Sequence, residues 1–412
     1  MSDMVLCLYS GLWNPGSSVF AMFRIECGFS DSVTDLPMNI LLFANSDWFL
    51  YNFELALASR LRSEGMNVIL VSPAGPFAHR LEEQGFRWIE APMGRYSWSP
   101  IGEARSILWL VRLLRRERVD IVHGFTIKCA VYGSIAARLA RTRGRILALT
   151  GMGYVYTSQQ LMARLLRPWL PSLLRLGLAG KAVYLVLLNR DDVAMATRLK
   201  LGDPDKIRLI PGSGVNCDKF APGLRSTPAG PFKVLLPARL LWDKGVGEYV
   251  EAARILKAEG REIEFLLAGA PDKGNPTSVD QTTILQWQAD GLVRWLDHVD
   301  AMPALFNSVD AVVLPSYREG LPNSLTEAAA CGRCLITTDV PGCRDVVTHG
   351  QNGLIVPARN PVGLADAIRR VAADRKYCRT LGEAARETAL QVFDEKIVLS
   401  QTLDIYRELG SR

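Results

Sequence analysis

Short apolar segments rich in Val, Ile and Leu alternate along the chain with longer segments of helical periodicity. In the first half, apolar segments at 38–44, 67–72, 119–124, 145–149, 182–188 and 207–211 are separated by helical ones near 50–64, 100–117, 129–141, 159–178 and 190–200. Unbroken apolar strands between helices are typical of a parallel sheet that is covered on both faces. The pattern therefore predicts a doubly wound α/β fold that begins at residue 38.

A second alternating set follows a Pro- and Gly-rich stretch. Its predicted strands are 232–238, 263–269, 293–296, 310–315, 334–338 and 353–356, followed by helices near 361–374, 376–392 and 395–409. We predict a Rossmann-like domain at 38–215, a linker at 216–231, a second Rossmann-like domain at 232–393 and a C-terminal helix at 394–412. Because ligands bind at the carboxyl ends of parallel strands, we expect the site in a cleft between the two domains.

Residues 1–37 do not share this alternation. They mix Cys, Trp, Pro and Phe without periodicity, whereas the first predicted strand begins at Met38. We therefore predict that Met38 is the natural start and that residues 1–37 are a disordered or non-native extension.

Composition narrows the class of protein. The 412 residues are 49% hydrophobic and 22% charged, which is close to the average for soluble globular proteins and excludes a disordered chain. The eight cysteines are scattered, so free buried thiols are expected. Cys331 and Cys334 have the spacing of a redox or zinc pair, but no second such pair exists. We interpret them as a helix end that runs into a strand.

Positive charge is concentrated in the first half. Residues 38–225 hold 26 basic and 14 acidic side chains, a net charge of +12 in a chain whose total is +6. This excess predicts an anionic partner: a membrane surface, a phosphorylated substrate or nucleic acid. Two segments, 107–116 and 161–170, interleave Arg with Leu and Trp. They fit helices that cover the sheet, or a basic amphipathic surface on anionic lipid, which we favour.

The strongest chemical pattern lies between residues 314 and 330. Glu319 falls on the loop after a predicted strand, and Pro322 suits the first turn of the helix that follows. The free N–H groups at that helix start form an anion site, and Glu327 lies about one turn further on. Two carboxylates, which accept hydrogen bonds from sugar hydroxyls, thus flank a phosphate-binding helix start.

Two cations follow the first strand of the second half. Arg239 comes directly after the strand and Lys244 opens the next helix, so both reach the same sheet edge as the two glutamates. Arginine can bind a diphosphate with two parallel hydrogen bonds, and lysine supplies a compact charge. Gly269 ends the next strand and is the best candidate there for close backbone approach to a ligand.

The Glu319 and Glu327 pattern, within its wider run, resembles the E-x7-E signature of the retaining GT-B glycosyltransferases of family four. The resemblance implies a GT-B fold, in which two Rossmann-like domains face each other across a cleft. It also implies that Glu319 contacts the donor sugar, Glu327 holds the ribose, and Arg239 and Lys244 bind the donor diphosphate. The remaining expected donor-binding residues are Gly320, Leu321, Pro322, Asn323, Ser324, Leu325 and Gly269.

Residues 123–128, which follow a predicted strand, and residues 150–154 together resemble a branch of that family that builds sugars on polyprenyl diphosphate carriers. His123 follows a predicted strand and would bind the donor sugar or handle the acceptor proton, although a strand-end histidine is often structural. Asn45 and Asp47 occupy the turn after the first strand, where many members of the family have a glycine pair. The expected acceptor-binding residues are Asn45, Asp47, Lys128, Gly151, Gly153 and Tyr154.

Together these features predict a retaining hexosyltransferase. We expect it to move a hexose or N-acetylhexosamine from a UDP-sugar to a polyprenyl-diphosphate-linked saccharide in surface polysaccharide synthesis, at the cytoplasmic face of an anionic membrane. The sequence has one Asp-x-Asp segment that could bind a divalent ion, Asp203 to Asp205, and we interpret it as a turn. We therefore expect no metal requirement, and we also expect no cofactor. A nucleotide-sugar epimerase and a sugar-binding relative without activity remain alternatives. A nucleic-acid-binding protein is weaker, because no recognised binding motif is present.

Overall fold

The computed structural model describes residues 37–94, 100–151, 170–223, 230–272 and 274–411, and every structural statement below concerns these residues. The predicted extension lies outside them except for Pro37. Within the described part, the chain from Pro37 onward forms one compact unit.

The first half is built on a seven-stranded parallel sheet with the order β3-β2-β1-β4-β5-β6-β7. Its strands are β1 (Asn39–Phe43), β2 (Asn67–Ser72), β3 (Arg87–Glu90), β4 (Ile121–Phe125), β5 (Gly144–Leu149), β6 (Val183–Leu187) and β7 (Ile207–Leu209). The strand order reverses between β1 and β4, which pair directly. Ligands bind at such switch points in doubly wound sheets.

The predicted strands are confirmed, but β3 was missed. Two of its four residues, Arg87 and Glu90, are charged and exposed, and the other two are only partly buried. An edge strand with one sheet neighbour needs no continuous apolar run, so hydrophobic patterning alone does not find it.

Helices cover both faces of this sheet. They are α1 (Asp47–Phe49), a π-helical turn (Leu50–Glu54), α2 (Leu55–Ser63), α3 (Ala78–Glu83), α4 (Pro100–Arg116), α5 (Thr126–Ala140), α6 (Leu170–Leu178) and α7 (Arg190–Arg198). Alternate residues of β1 enter opposite cores, Leu41 and Phe43 on one face and Ile40 and Leu42 on the other. This alternation explains why the strand reads as one apolar run.

The second half has a six-stranded parallel sheet with the order β10-β9-β8-β11-β12-β13. Its strands are β8 (Phe232–Pro237), β9 (Ile263–Ala268), β10 (Arg294–Trp295), β11 (Ala311–Leu314), β12 (Cys334–Thr338) and β13 (Leu354–Val356). Its helices are α8 (Val246–Ala258), α9 (Gln281–Ala289), α10 (Met302–Asn307), α11 (Asn323–Ala330), α12 (Cys343–Val346), α13 (Pro361–Ala373) and α14 (Arg375–Thr388). The expected pair of Rossmann-like halves is confirmed.

The last helix returns to the first half. A π-helical turn (Ala389–Phe393) follows α14, and the backbone of Val215 bonds to Phe393 and Glu395 where the chain crosses between the halves. Helix α15 (Glu395–Gly410) then packs Leu403, Tyr406 and other apolar residues into the core beside β1. The two halves are thus joined by two adjacent crossings.

Two local interpretations are also confirmed. Asp203 caps a short 3-10 turn by accepting the N–H of Asp205, so the Asp-x-Asp segment is a turn. Cys331 ends α11 and Cys334 begins β12, and both are buried free thiols. Across the described ranges, every helix is too short or too polar to traverse a bilayer.

Candidate active site

Two loops meet at the carboxyl edge of the second sheet. They follow β8 and β11, which are neighbours in that sheet. Lys244, in a 3-10 turn (Trp242–Lys244), donates a hydrogen bond from Nζ to Glu319 Oε1 at 2.5 Å, and Ser316 Oγ donates to the same oxygen at 2.7 Å. The structure therefore brings together the predicted diphosphate-binding lysine and the predicted sugar-binding glutamate.

Backbone packing holds these loops together. Gly245 has a φ of +72°, and a Cβ atom there would lie 2.1 Å from the carbonyl oxygen of Pro315. The N–H of Tyr317 donates to the carbonyl of Asp243 at 2.9 Å, and the Tyr317 hydroxyl donates to Glu248 at 2.7 Å. The glycine is required because the left-handed conformation and the close contact both exclude a side chain.

Helix α11 supplies the predicted phosphate-binding N-terminus. Pro322 is the N-cap and the helix begins at Asn323, one residue later than predicted. Glu327 lies one turn into the helix, where burial raises the pKa of its carboxyl to about 7 and the charge of Lys219 opposes the rise. The ribose-binding role of Glu327 stays a prediction.

Arg239 lies at the same sheet edge but has a different partner. Its guanidinium donates to Asp272 at 2.6 Å and its side chain is 53% exposed. Exposed ion pairs contribute little stability, so a bound diphosphate can replace Asp272 at small cost. Gly269 has a φ of +143°, and a Cβ there would lie 1.9 Å from the Ala238 carbonyl oxygen. Its backbone approaches β8 closely, while nucleotide contact stays a prediction.

The loop that carries Glu319 also touches the first half. A Cβ on Gly320 would lie 2.4 Å from the carbonyl oxygen of Thr150, and Gly151 faces Gly320 across the cleft. Asn189 Nδ2 donates to the Gly320 carbonyl at 2.8 Å. This segment therefore bridges the cleft.

An ion pair accompanies this contact. Arg318 donates to Asp192 at 2.8 Å, and the Asp192 side chain is completely buried at the start of α7. Asn189 caps that helix by accepting the N–H of Asp192 at 2.8 Å. Sequence reasoning missed these three residues. The Asn-x-x-Asp pattern after β6 identifies a helix start, but nothing in the sequence links it to Arg318.

His123 lies within β4 and is 2% exposed. Its Nδ1 is 2.8 Å from the hydroxyl of Tyr406 and its ring stacks on Phe125. Among the described residues, Nε2 has no hydrogen-bond partner. Burial lowers the pKa of the imidazole to about 3, so the ring is neutral at physiological pH. The structure places His123 at the cleft edge of the first sheet, and its role stays a prediction.

Four more of the six expected acceptor-binding residues are Asn45, Lys128, Gly153 and Tyr154. Asn45 is half-buried in the turn after β1. Lys128 is bound by Glu103 at 2.8 Å and by the carbonyl of Gly94, so contact with an acceptor phosphate stays a prediction. Gly153 and Tyr154 lie outside the described residues.

Acceptor binding by Asp47 stays a prediction, and its carboxylate has backbone partners in the structure. Its side chain is 3% exposed, and Oδ2 accepts the N–H groups of Phe77 and Ala78 at 2.7 and 2.9 Å. Its other oxygen accepts the N–H of Trp48. Backbone donors thus engage both oxygens of this buried carboxylate, so Asp47 fixes the start of α3.

The described ranges contain no group of three His, Cys, Asp or Glu side chains arranged to hold a metal ion. Independence from metal stays a prediction, because substrate oxygens can also complete the coordination of an ion.

Comparison with known proteins places this geometry in a family. Residues 225–388 match the family described as Glycosyl transferases group 1, and residues 39–186 match Glycosyl transferase 4-like. A Campylobacter jejuni N,N'-diacetylbacillosaminyl-diphospho-undecaprenol alpha-1,3-N-acetylgalactosaminyltransferase is 27% identical over 384 residues, which are 90% of this chain and 98% of the relative.

Two further similarities agree with these matches. An Escherichia coli UDP-Gal:alpha-D-GlcNAc-diphosphoundecaprenol alpha-1,3-galactosyltransferase is 24% identical over 87% of this chain and 92% of the relative. The crystal structure of a glycosyltransferase from Rickettsia africae superimposes with a TM-score of 0.72 at 20% identity, covering 90% of this chain and 98% of the other. The matches span both halves and the fold agrees, so the chain belongs to the GT-B glycosyltransferases of family four.

Proposed function

We propose that this enzyme transfers a hexose or N-acetylhexosamine from a UDP-sugar to a saccharide carried on polyprenyl diphosphate, with retention of configuration, during surface polysaccharide synthesis. The observation that carries the proposal is the contact between Lys244 and Glu319 beside the N-terminus of α11. A cation, a sugar-binding carboxylate and a helix start at one sheet edge match the needs of a nucleotide-sugar donor.

The chemistry assigned to these groups is electrostatic. Lys244, Arg239 and the N–H groups at the start of α11 stabilise the negative charge that develops on the leaving diphosphate. Glu319 accepts hydrogen bonds from donor sugar hydroxyls and Glu327 binds the ribose, as the family resemblance implies. Transfer requires no covalent step on the protein and no metal in this proposal.

The substrate classes are supported by the relatives. The C. jejuni and E. coli names both specify acceptors on undecaprenyl diphosphate, and the E. coli name specifies a UDP-linked donor. Both alignments span most of each chain, so they include the acceptor-facing and the donor-facing halves. These names support a lipid-linked acceptor and a UDP-sugar donor for this protein as well.

A lipid-linked acceptor requires access to a membrane, and we propose that the first half associates with anionic lipid at the cytoplasmic face. One side of α4 exposes Ile101, Arg105, Leu108 and Arg112 at helical spacing. Ile101 and Leu108 are 69% and 52% exposed. Alternating apolar and cationic side chains on one helix surface suit binding to anionic headgroups.

The transfer assay tests the proposed reaction. The protein is incubated with individual UDP-sugars and a panel of polyprenyl-diphosphate-linked saccharides, and products are analysed by mass spectrometry and NMR. Glu319→Gln and Lys244→Ala are each expected to lower kcat about 100-fold or more, because each removes a group that binds the donor. Glu264→Gln is the matched control, since Glu264 pairs with Lys233 and Arg294 at the opposite end of β9.

Other outcomes would contradict the proposal. An inverted anomeric product contradicts retention, and loss of activity in EDTA contradicts independence from metal. Interconversion of UDP-sugars without an acceptor would identify an epimerase instead. Absence of flotation with anionic liposomes at low salt would exclude the membrane association.

A further inference from the structure

A pocket of about 110 Å³ lies at the carboxyl edge of the first sheet. Residues from the helical segment after β1, between Phe49 and Leu57, from the ends of β4 to β7 and from α15 form its walls. Leu321 and Asn323, from the loop that carries Glu319, complete the lining. The pocket therefore borders the loop that carries Glu319, although most of its wall belongs to the first half.

Two ionisable side chains line this pocket, and neither is fully satisfied. Glu54 is 7% exposed, and within the described ranges no hydrogen bond or ion pair engages its carboxyl. His123 is bonded through Nδ1 to Tyr406, but no residue in the described part of the chain forms a hydrogen bond with its buried Nε2. A buried polar group without a partner costs about 1–3 kcal/mol. Such a cost is recovered when a ligand supplies the missing hydrogen bonds.

The backbone places Glu54 in this position. Glu54 ends the π-helical turn (Leu50–Glu54) between α1 and α2, and both Leu50 and Glu54 are buried. Single π-helical turns inside α-helices are rare and frequent at functional sites. At this core-facing position a Leu side chain would pack better than a carboxyl, so packing alone does not explain Glu54.

The lining indicates the chemistry of the ligand. Phe49, Phe53 and Phe125 present aromatic surface suited to the C–H groups of a pyranose ring, while Glu54 and His123 present hydrogen-bonding atoms. Burial raises the pKa of Glu54 to about 8, which favours a neutral carboxyl that both donates and accepts. Sugar hydroxyls match this combination better than a cation, which would need a charged carboxylate.

We propose that this pocket binds the reacting sugar of the acceptor, and that Glu54 and His123 Nε2 form hydrogen bonds with its hydroxyl groups. Glu54 is then a specificity-determining residue of the first half. The inference rests on the proposed function, because it assumes that the donor lies on the Glu319 side of the cleft.

The experiment compares acceptor and donor kinetics in three variants. Glu54→Leu removes the hydrogen bonds, Glu54→Asp withdraws the carboxyl by one methylene, and Glu54→Gln keeps a neutral group that donates and accepts. Asn52→Ala is the matched control, since Asn52 is in the same turn but exposed. The acceptor KM is measured at saturating UDP-sugar, and the donor KM is measured by hydrolysis of the UDP-sugar without acceptor.

Glu54→Leu is expected to raise the acceptor KM about 10- to 100-fold, because the sugar loses its hydrogen-bond partner. Glu54→Asp is expected to raise it by a smaller factor, and Glu54→Gln and Asn52→Ala to change it less than about threefold. The donor KM for hydrolysis stays within about twofold in all variants. Glu54→Asp keeps the test decisive if Glu54→Leu does not fold.

An unchanged acceptor KM in folded Glu54→Leu and Glu54→Asp would overturn the inference while leaving transfer by the wild type intact. A rise in the donor KM instead of the acceptor KM would also overturn it, since the pocket would then hold the donor sugar. A wild type that transfers no sugar would overturn the proposed function and this inference with it.

Discussion

Gly320 lies on the loop that carries Glu319 and contacts the opposite half of the molecule. Its position leaves no room for a methyl group, because a Cβ would lie 2.4 Å from the Thr150 carbonyl oxygen. The obstacle is backbone, which cannot rotate away as the end of a side chain can. Glu319 precedes this glycine directly, so the position of its carboxylate depends on how closely the two halves approach.

Gly320→Ala is therefore expected to reduce kcat about 100-fold, because displacing a reacting group by about 1 Å has effects of this size. The transfer assay and a urea unfolding curve measure activity and stability on the same protein. Gly177→Ala is the control, since a Cβ there would lie 3.4 Å from its nearest neighbour, a methyl group of Leu147, which is ordinary contact. Unchanged turnover in Gly320→Ala would show that this contact does not matter for catalysis.

The buried carboxyl of Glu54 also predicts a pH dependence of stability. Burial raises its pKa from 4.5 to about 8, so the folded state holds a proton that the unfolded state has lost. The contribution of Glu54 to the free energy of unfolding should therefore fall as the pH rises from 5 to 8, by at most about 1.4 kcal/mol per pH unit. His123 acts in the opposite sense below pH 6.5, because burial lowers its pKa from 6.5 to about 3 and the unfolded state therefore binds a proton that the folded state does not. The pKa of Tyr406 is raised well above 10 and lies outside this range. The contribution of Glu54 is therefore measured as the difference between the wild type and a variant without the carboxyl.

Glu54→Gln tests this expectation in urea unfolding experiments without substrate. The variant should match the wild type near pH 5 and exceed it in stability at pH 8, because the amide has no proton to lose. Parallel pH profiles for the two proteins would contradict a raised pKa at Glu54.

At the scale of secondary structure elements, the start of α7 positions the loop that carries Glu319. Asn189 caps the helix and binds the Gly320 carbonyl, while Asp192 faces Arg318. Both contacts cross the cleft, and both act on residues that flank Glu319 in sequence. We infer that α7 acts on catalysis through this loop rather than by touching the substrate.

Arg318→Ala is expected to lower kcat at least 10-fold and to destabilise the protein by about 3 kcal/mol, because it removes the guanidinium that faces a buried carboxylate. Arg318→Lys should restore part of both, and the donor KM should change less than kcat. Arg344→Ala is the control, since Arg344 lies 3.9 Å from Asp191 in an exposed pair worth less than about 1 kcal/mol. Equal effects of the two Ala variants would contradict the positioning role.

On the scale of the whole molecule, the C-terminal helix makes the first half dependent on the end of the chain. Leu409 is fully buried in the core beside β1, and a Cβ on Gly144 would lie 2.9 Å from its side chain. The hydroxyl of Tyr406, in the same helix, lies within hydrogen-bond distance of Nδ1 of His123, at 2.8 Å. The last helix of the chain therefore completes both the core and the cleft of the first half.

Leu409→Ala should lower the free energy of unfolding by about 2–5 kcal/mol, since it leaves a cavity where α15 meets β5. Urea unfolding followed by circular dichroism measures the change. Gln401→Ala, on the exposed side of the same helix, is expected to stay within about 0.5 kcal/mol of the wild type. A similar small change for Leu409→Ala would show that α15 contributes little to this core.

The sequence by itself determined the α/β class, the two parallel sheets and the family. Buried parallel strands read as unbroken apolar runs, and the Glu319 loop has a local pattern that follows one of them. The placement of Lys244 and Glu319 at one sheet edge was also predicted, because both follow the carboxyl ends of parallel strands. These features depend on residues that are close in sequence or on the fixed geometry of a parallel sheet.

Only the tertiary structure decided which side chains already have partners. The sequence does not indicate that Asp47 and Lys128 have partners. In the structure, Asp47 accepts a backbone hydrogen bond at the start of α3, and Lys128 pairs with Glu103. Glu54 reads as an ordinary helical glutamate, yet it is buried in a pocket that α15 helps to line. The physical reason is distance along the chain. Burial and ion pairing depend on segments that lie from 25 to more than 300 residues apart, and no local pattern records their approach.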